Sequence, residues 1–180
     1  MRSITIYIFL LFLLVFRIAN LFAQSSFQKI YSQPDSASSL QTFDAKLCPD
    51  GGFVLTGLAS DSNSNTYHPF ILKLDCKGRE IWKRFFGSTQ TIGNISPRII
   101  VTKDSNYVII NNLGVYTNYN GFAAKIGQLG NIIWRKTLNL SSGNDIINDI
   151  TETKDGHLII CGASKSSPDV SLTKLKSDGS

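Results

Sequence analysis

Residues 74–87, LDCKGREIWKRFFG, join a tight turn to a run of β-forming residues that contains Trp82. A looser copy of this stretch, IGQLGNIIWRKTLN, occupies residues 126–139 and places Trp134 at the matching position. Glycine just ahead of a run of branched and aromatic residues is typical of a turn that leads into a strand. The two copies therefore predict a repeated turn and strand.

Other landmarks recur with the same period of about 50 residues, which lies in the range of propeller-type repeats. The tryptophans are 52 residues apart, the turn aspartates 54 and 51, and the turn glycines 52 and 49. The repeat positions are Asp50, Gly78, Trp82, Asp104, Gly130, Trp134, Asp155 and Gly179. Independent landmarks that stay in step indicate repeated structural units, which we place at residues 43–88, 96–142 and 147–180.

Each complete unit reads as four short strands, the first two joined by a hairpin across the turn aspartate. The predicted strands are 43–48, 53–56, 69–75 and 80–86, then 97–102, 107–111, 121–126 and 132–138, then 147–152, 158–161 and 170–175. Polar loops are predicted at 58–68 and 112–121. No helical periodicity is sustained beyond the N-terminal segment.

The sequence therefore predicts an all-β fold, a β-propeller-like array of about three four-stranded antiparallel blades. One four-stranded sheet cannot cover both of its faces, so the sheets must stack. The apolar runs 53–55, 107–110 and 158–161 suit strands that are covered on both faces. We interpret Trp82 and Trp134 as packing between blades; the alternative is an aromatic platform for a sugar.

The two ends of the repeat region predict an incomplete array. The third unit stops at residue 180, just before its tryptophan strand is due. Residues 27–32 lie at the spacing of an orphan last strand, with Phe27 at the tryptophan position. Three blades are too few for a closed propeller, which typically has about four to eight. The alternatives are a fragment, a truncated product or part of an oligomeric ring, of which we favour the fragment.

Residues 1–23 have the layout of a secretory signal peptide, with Arg2 ahead of a largely apolar run of 13 residues, 4–16, and Ala23 at the expected cleavage site. An uncleaved membrane anchor is the alternative, but Arg17 and Asn20 shorten the apolar run below the roughly 20 residues of a span. We therefore expect a secreted or cell-surface protein with no stable membrane span after cleavage.

Residues 24–180 carry 16 basic and 13 acidic side chains, with the basic residues scattered along the chain. A nucleic-acid partner would require clustered basic residues, so none is expected. Three cysteines, Cys48, Cys76 and Cys161, allow at most one internal disulfide, and we interpret all three as small apolar fillers. His68 and His157 lack metal-ligand spacing.

A family resemblance rests on the pattern DGGFVLTG at 50–57 and ILKLDxxGxxxW at 71–82. This pattern resembles the secreted propeller-repeat proteins that often carry a type IX secretion sorting tail. The resemblance covers residues 27–180 and implies a secreted propeller whose sorting tail is missing here. The second copy departs from the pattern at Asn106, Asn111 and Gly127. The tryptophan element is also similar to that of quinoprotein-type propellers, which implies a blade without implying a cofactor site.

Two loops carry candidate binding residues. Residues 61–65, DSNSN, begin like a calcium loop but lack its later Gly and Glu, so we interpret them as a solvated loop. Tyr116, Asn118 and Tyr119 offer stacking and amide hydrogen bonds to a carbohydrate. No residue pattern points to a catalytic, metal or cofactor site.

The sequence thus favours an exported, non-enzymatic repeat scaffold for protein or surface interaction, with an unknown protein or glycan as partner. A glycan-binding propeller is one alternative. A fragment of a propeller enzyme, of quinoprotein or lyase type, is the other.

Overall fold

The computed structural model describes residues 26–32, 37–61, 66–86, 89–90, 96–115, 118–138, 145–164 and 169–180. The predicted signal peptide lies outside these ranges. Within them the regular structure is entirely β, which confirms the predicted fold class. None of this part of the chain forms a helix of the length and apolar character needed to cross a bilayer.

The strands form three antiparallel sheets in which consecutive strands are neighbours, apart from one two-residue strand in the first sheet. Sheet 1 contains β1 (Ala37–Leu47), β2 (Phe53–Asp61), β3 (Thr66–Leu74), β4 (Glu80–Phe85) and the two-residue β5 (Thr89–Gln90), which pairs with β3. Sheet 2 contains β6 (Arg98–Val101), β7 (Tyr107–Val115), β8 (Asn118–Ile126) and β9 (Ile132–Leu138). Sheet 3 contains β10 (Asp145–Glu152), β11 (Leu158–Ser164) and β12 (Val170–Leu175). The array is open, as expected for an incomplete propeller-like arrangement.

The turn between the first two strands of every sheet has the same geometry. In sheet 1 the amide of Cys48 donates to the carbonyl of Gly52 at 2.9 Å, and the amide of Gly51 donates back to Cys48 at 2.9 Å. This three-residue hairpin requires a left-handed residue at its last loop position. That position is held by Gly51, Ser105 and Gly156, with φ of 77°, 61° and 80°.

The turn that leads into the last strand repeats this design. In sheet 2 the amide of Gly127 donates to Asn131 at 2.8 Å, and Gly130 donates to Gly127 at 2.9 Å. The left-handed position is held by Gly78, Gly130 and Gly179, with φ of 69°, 81° and 84°. The glycines recur because a side chain at this φ is strained.

The strands are longer than the polarity of their sequences predicts. The predicted loop 58–68 is wrong in extent, because β2 and β3 continue to pair through Leu58–Pro69 and Ser60–Tyr67. The predicted loop 112–121 is also mostly strand, since β7 and β8 pair as far as Val115 and Asn118. Backbone ladders hydrogen-bond whatever the side chain, so polar residues extend these hairpins beyond the buried core.

The sheets stack on one another through apolar faces. We call the face of a sheet that points to the following sheet its back face, and the opposite face its front face. The back face of sheet 1 packs on the front face of sheet 2; this contact includes Val54, Ile71, Tyr107, Ile109 and Phe122, all buried. The back face of sheet 2 packs on the front face of sheet 3; this contact includes Val108, Ile110, Ala123, Leu158 and Ile160, also buried. Sheet 2 is thus covered on both sides, which explains the unbroken apolar run of β7.

Residues 27–32, predicted as an orphan last strand, pair with none of the strands that the structure describes. They lie instead against sheet 1, where Tyr31 packs on the buried cluster of Ala59, Phe70, Leu72 and Leu74.

Candidate interaction surface

Each tryptophan joins its own sheet to the turn of the following sheet. The ring of Trp82 lies on Gly130, where an added Cβ would stand 3.0 Å from Cδ2, and its indole Nε1 donates to Gln128 O at 2.9 Å. Trp134 lies on Gly179 in the same way, with the corresponding Cβ distance 2.9 Å. Its Nε1 donates to the carbonyl of Ser177 at 3.0 Å. Both tryptophans are half-buried at contacts between sheets and do not form free aromatic platforms.

A cationic side chain binds the carbonyl of the same turn glycine. Arg84 Nε donates to Gly130 O at 2.9 Å, and Lys136 Nζ donates to Gly179 O at 2.9 Å. Both cations lie two residues after a tryptophan, on the same face of the last strand. This contact was not predicted from the sequence, although a basic residue occupies that position in both copies.

Residues 26–32 make the equivalent contact with sheet 1. A Cβ on Gly78 would clash with the ring of Phe27, which also packs edge-on against Phe53 with ring centroids 6.1 Å apart. Tyr31 donates its hydroxyl to the carbonyl of Gly78 at 2.7 Å. Phe27 and Tyr31 therefore contact the ring site and carbonyl of Gly78 as Trp82 and Arg84 contact Gly130, although Tyr31 follows Phe27 by four residues and Arg84 follows Trp82 by two.

The turn aspartates pair with a lysine from the third strand of their own sheet. Lys73 Nζ lies 2.7 Å from Asp50, and Lys125 Nζ lies 2.7 Å from Asp104. The lysine side chains are only 3% and 7% exposed, because the next sheet covers them. In sheet 3 the corresponding lysine is Lys174, which lies 3.6 Å from its aspartate and is 55% exposed.

These contacts stabilise the charged form of the aspartates. Burial would raise the pKa of Asp104, but hydrogen bonds from Lys125, Thr102 and Asn106 outweigh it and hold the pKa well below its ordinary value. The hydrogen bond from Lys73 likewise lowers the pKa of Asp50. Both carboxylates are thus engaged in ion pairs within the fold.

The back face of sheet 3 is open. Leu172 is 71% exposed, whereas Ile71 and Ala123, at the same place in sheets 1 and 2, are fully buried. Val170, on the same face of β12, is 86% exposed. β12 is also the edge strand of its sheet, whereas β3 and β8 each pair with a fourth strand. Among the described residues, the face and edge of β12 thus form an exposed apolar surface.

The three cysteines are unpaired and differ in environment. Cys48 is buried at the contact between sheets 1 and 2, where desolvation raises its pKa, and fits the predicted role of an apolar filler. Cys76 is exposed in the turn before Gly78, and Cys161 is half-buried on β11. The filler interpretation is therefore wrong for Cys76, which no core surrounds.

Among the described residues, the other candidate binding residues are not brought together into a site. Residues 62–65 of the calcium-like loop and Tyr116 lie outside the described ranges. Asn118 and Tyr119 belong to β8, where their backbones pair with Val115 and Gly114. Over the ranges that the structure covers, no three His, Cys, Asp or Glu side chains are grouped to hold a metal ion.

A scan against models of protein families finds no match, and a search of curated proteins finds none either.

Proposed function

We propose that this chain is an exported, non-enzymatic repeat scaffold that holds another protein on the open face and edge of β12. The observation that carries the proposal is the 71% exposure of Leu172, at a position that is fully buried in the other two sheets. A large apolar side chain kept in water at a repeated packing position is typical of an interaction surface.

The chemistry of the repeat positions supports a structural role. The carboxylates of Asp50 and Asp104 are held by buried lysines, and the two indoles are held by turn glycines and carbonyls. These groups contribute to cohesion within and between sheets. The glycan-binding alternative depends on Tyr116, Asn118 and Tyr119, and no described contact favours it.

The edge of β12 supports a protein as the partner. An unpaired strand edge presents backbone donors and acceptors that another strand completes. Addition of a strand to such an edge is a common mode of protein recognition, in which apolar pockets beside the edge give specificity. Val170 and Leu172 lie beside this edge.

Photo-crosslinking tests the interaction. A photoreactive phenylalanine analogue replaces Leu172 in the chain produced with its leader, and the matched control places it at Leu129, which is 87% exposed in a turn of sheet 2. Discrete protein adducts from position 172 that are absent from position 129 are expected. The same adducts from both positions, or none from position 172, would overturn the proposal.

Export is tested separately by mass spectrometry. The proposal rests here on the signal-peptide layout of residues 1–23 and on the resemblance to secreted propeller-repeat proteins. Protein recovered outside the cells should begin at Gln24. Recovery of the chain only inside the cells, with residues 1–23 attached, would remove the exported part of the proposal.

A further inference from the structure

The outer strands of sheets 1 and 2 run side by side. β4 and the residue that follows it touch sheet 2 at two points, because Trp82 lies on Gly130 and Phe86 packs against Phe122 with ring centroids 6.1 Å apart. Phe122 in turn pairs with Thr137 of β9. The chain from Trp82 to Phe86 therefore follows β9 along most of its length. We call this border between β4 and β9 the outer seam.

Two exposed arginines border the outer seam, one from each sheet. Arg84 extends from β4 to the turn of sheet 2, where its Nε donates to Gly130 O at 2.9 Å. Arg135 extends from β9 over the front face of sheet 2, and its guanidinium carbon lies 5.3 Å from the ring centroid of buried Phe122. The two cations thus approach the seam from opposite walls.

Neither of these arginines has a carboxylate partner among the described residues. The neighbouring cations do have one, since Arg79 lies 2.6 Å from Asp75 and Lys83 lies 3.3 Å from Glu80. A guanidinium carries several N–H donors in a fixed fork that matches a carboxylate. In the described part of the chain, one hydrogen bond to Gly130 and one ring contact leave most of these donors for a ligand.

An apolar side chain and a strand edge lie beside the two cations. Ile133 is 49% exposed and precedes Arg135 by two residues, on the same face of β9. β9 ends the strand order of sheet 2 and pairs with β8 alone among the described strands. An unpaired edge offers backbone donors and acceptors to an added strand. A strand added there would place side chains beside Ile133 and Arg135, facing Arg84 of sheet 1.

We propose that the outer seam binds an extended acidic segment of another protein, which adds to β9 as a further strand. Side chains on one face of a strand recur at every second residue. The segment therefore carries an apolar residue at Ile133 and, two positions away, a carboxylate between Arg84 and Arg135. Backbone pairing gives such a complex its affinity, and the side chains give its specificity. This surface is separate from β12, so the inference goes beyond the proposed function.

The charge of the outer strands argues for an acidic partner and against a second copy of the same edge. β4 carries Lys83 and Arg84, and β9 carries Arg135 and Lys136. Glu80 is the single acid in these two strands, and Lys83 already pairs with it. Cationic side chains on an edge strand repel an identical edge. The same charges attract an acidic strand.

Fluorescence anisotropy of a labelled synthetic peptide tests the proposal. The peptide repeats threonine-valine-threonine-glutamate, so that valine and glutamate alternate on one face, and a matched peptide has glutamine in place of glutamate. The chain should bind the glutamate peptide and should bind the glutamine peptide about tenfold more weakly. Added salt should weaken the glutamate complex. No binding of the glutamate peptide, or equal binding of both peptides, would overturn the proposal.

Variants of the chain locate the complex at the outer seam. Arg135→Gln removes one exposed cation and should weaken binding about tenfold. The matched control is Arg79→Gln, which removes an arginine that is 71% exposed but already paired with Asp75, and it should leave the affinity unchanged. Circular dichroism establishes that both variants keep the β structure of the parent. Equal weakening in the two variants would contradict a site at the seam.

Charge reversal distinguishes recognition from a merely structural effect. Arg135→Glu should abolish binding of the glutamate peptide and should allow binding of a peptide with lysine in place of glutamate. Undiminished binding of the glutamate peptide by this variant would rule out the role of Arg135.

Backbone methylation tests the added strand. Successive residues of a strand direct their N–H groups to opposite edges, so only one alternate set faces β9. One peptide is methylated at the threonine nitrogens and a second at the valine and glutamate nitrogens. One of the two should lose binding while the other retains it. Equal affinities would exclude pairing with β9.

Two further arms define the partner and separate this proposal from the surface at β12. Inorganic phosphate should compete far more weakly than unlabelled peptide, because it has neither a backbone nor an apolar side chain. Equal competition would reduce the seam to a small-anion site and overturn the protein partner. Leu172→Glu should bind the peptide as the parent does, and weaker binding would contradict the separation of the two surfaces.

Discussion

The indole of Trp82 lies directly on Gly130, so that a Cβ at position 130 would stand 3.0 Å from the ring. The two residues belong to neighbouring sheets. Arg84, on the same strand as Trp82, joins these sheets further by donating a hydrogen bond to the Gly130 carbonyl. The left-handed glycine thus has two roles, because it closes a turn and also leaves room for the ring that docks the preceding sheet.

Replacing Gly130 by alanine should separate these two roles. The left-handed backbone costs an L-residue about 1–2 kcal/mol, and the contact with Trp82 adds an overpacking cost of roughly 1–3 kcal/mol. The matched control is Gly156→Ala, at φ of 80°, where an added Cβ meets nothing within 4 Å. Urea unfolding should show a clearly larger loss for Gly130→Ala. Equal losses would mean that the ring contact does not constrain the turn.

Ser105→Gly should stabilise the protein. Ser105 is the one described non-glycine residue with positive φ, at the turn position that Gly51 and Gly156 occupy in the other sheets. Removing a strain of about 1–2 kcal/mol outweighs the roughly 0.5–1 kcal/mol of extra freedom that glycine gives the unfolded chain. The reverse control, Gly51→Ser, should lower the unfolding free energy, since its added Cβ has only an ordinary contact at 3.9 Å. A loss of stability in Ser105→Gly would contradict this account of the turn.

Asp104→Asn should destabilise the fold more than Asp155→Asn. Removing the Asp104 carboxylate leaves buried Lys125 without its counter-charge, and breaking a buried pair costs about 3–5 kcal/mol. Because Asp104 itself is half exposed, we expect a smaller loss of about 2 kcal/mol. Asp155 pairs with exposed Lys174, so its replacement should cost at most about 1 kcal/mol. Thermal melts measure both, and similar losses would show that burial of the lysine is immaterial.

Acid should weaken the fold through the same carboxylates. The pKa of Asp155 is lowered from 3.8 to about 2, chiefly by the Thr153 hydroxyl, and hydrogen bonds hold the pKa of Asp104 down as well. A lowered folded-state pKa means that the unfolded chain binds more protons, so this stability is present above pH 3.8 and is lost as the pH falls toward 2.

Melting temperatures recorded between these pH values test the acid effect. The parent should lose stability steadily over the interval, and Asp104→Asn should lose it less steeply because one of the titrating groups is gone. A parallel decline in the two proteins would show that Asp104 does not contribute to the acid sensitivity.

The sheets could be predicted from the sequence because their turns are encoded locally. Gly78 and Gly130 are required because the backbone at each of these positions is left-handed. The recurrence of this glycine together with a tryptophan reveals the period of the repeat. Strand length could not be predicted in this way. Residues 58–61 and 66–68 read as loop by polarity, yet they pair because the hairpin ladder depends on the backbone alone.

The proposed interaction surface could not be predicted from the sequence, for a different reason. Leu172 occupies the same place in its strand as Ile71 and has the same apolar character, but the first is exposed and the second is buried. The difference depends on the packing of neighbouring sheets, which the apolar character of a single residue does not encode. The spacing of Phe27 did place it at the tryptophan position, whereas the absence of strand pairing for residues 26–32 emerged only from the structure.

The two indoles provide an intrinsic fluorescence probe of the unfolding of the protein. Each tryptophan touches the sheet after its own, so emission reports the docking of neighbours, while far-ultraviolet dichroism reports the hairpins themselves. If sheets separate before their hairpins melt, emission shifts first and dichroism persists. Coincident curves would instead show that the array unfolds in one cooperative step. Neither measurement needs an external dye or label.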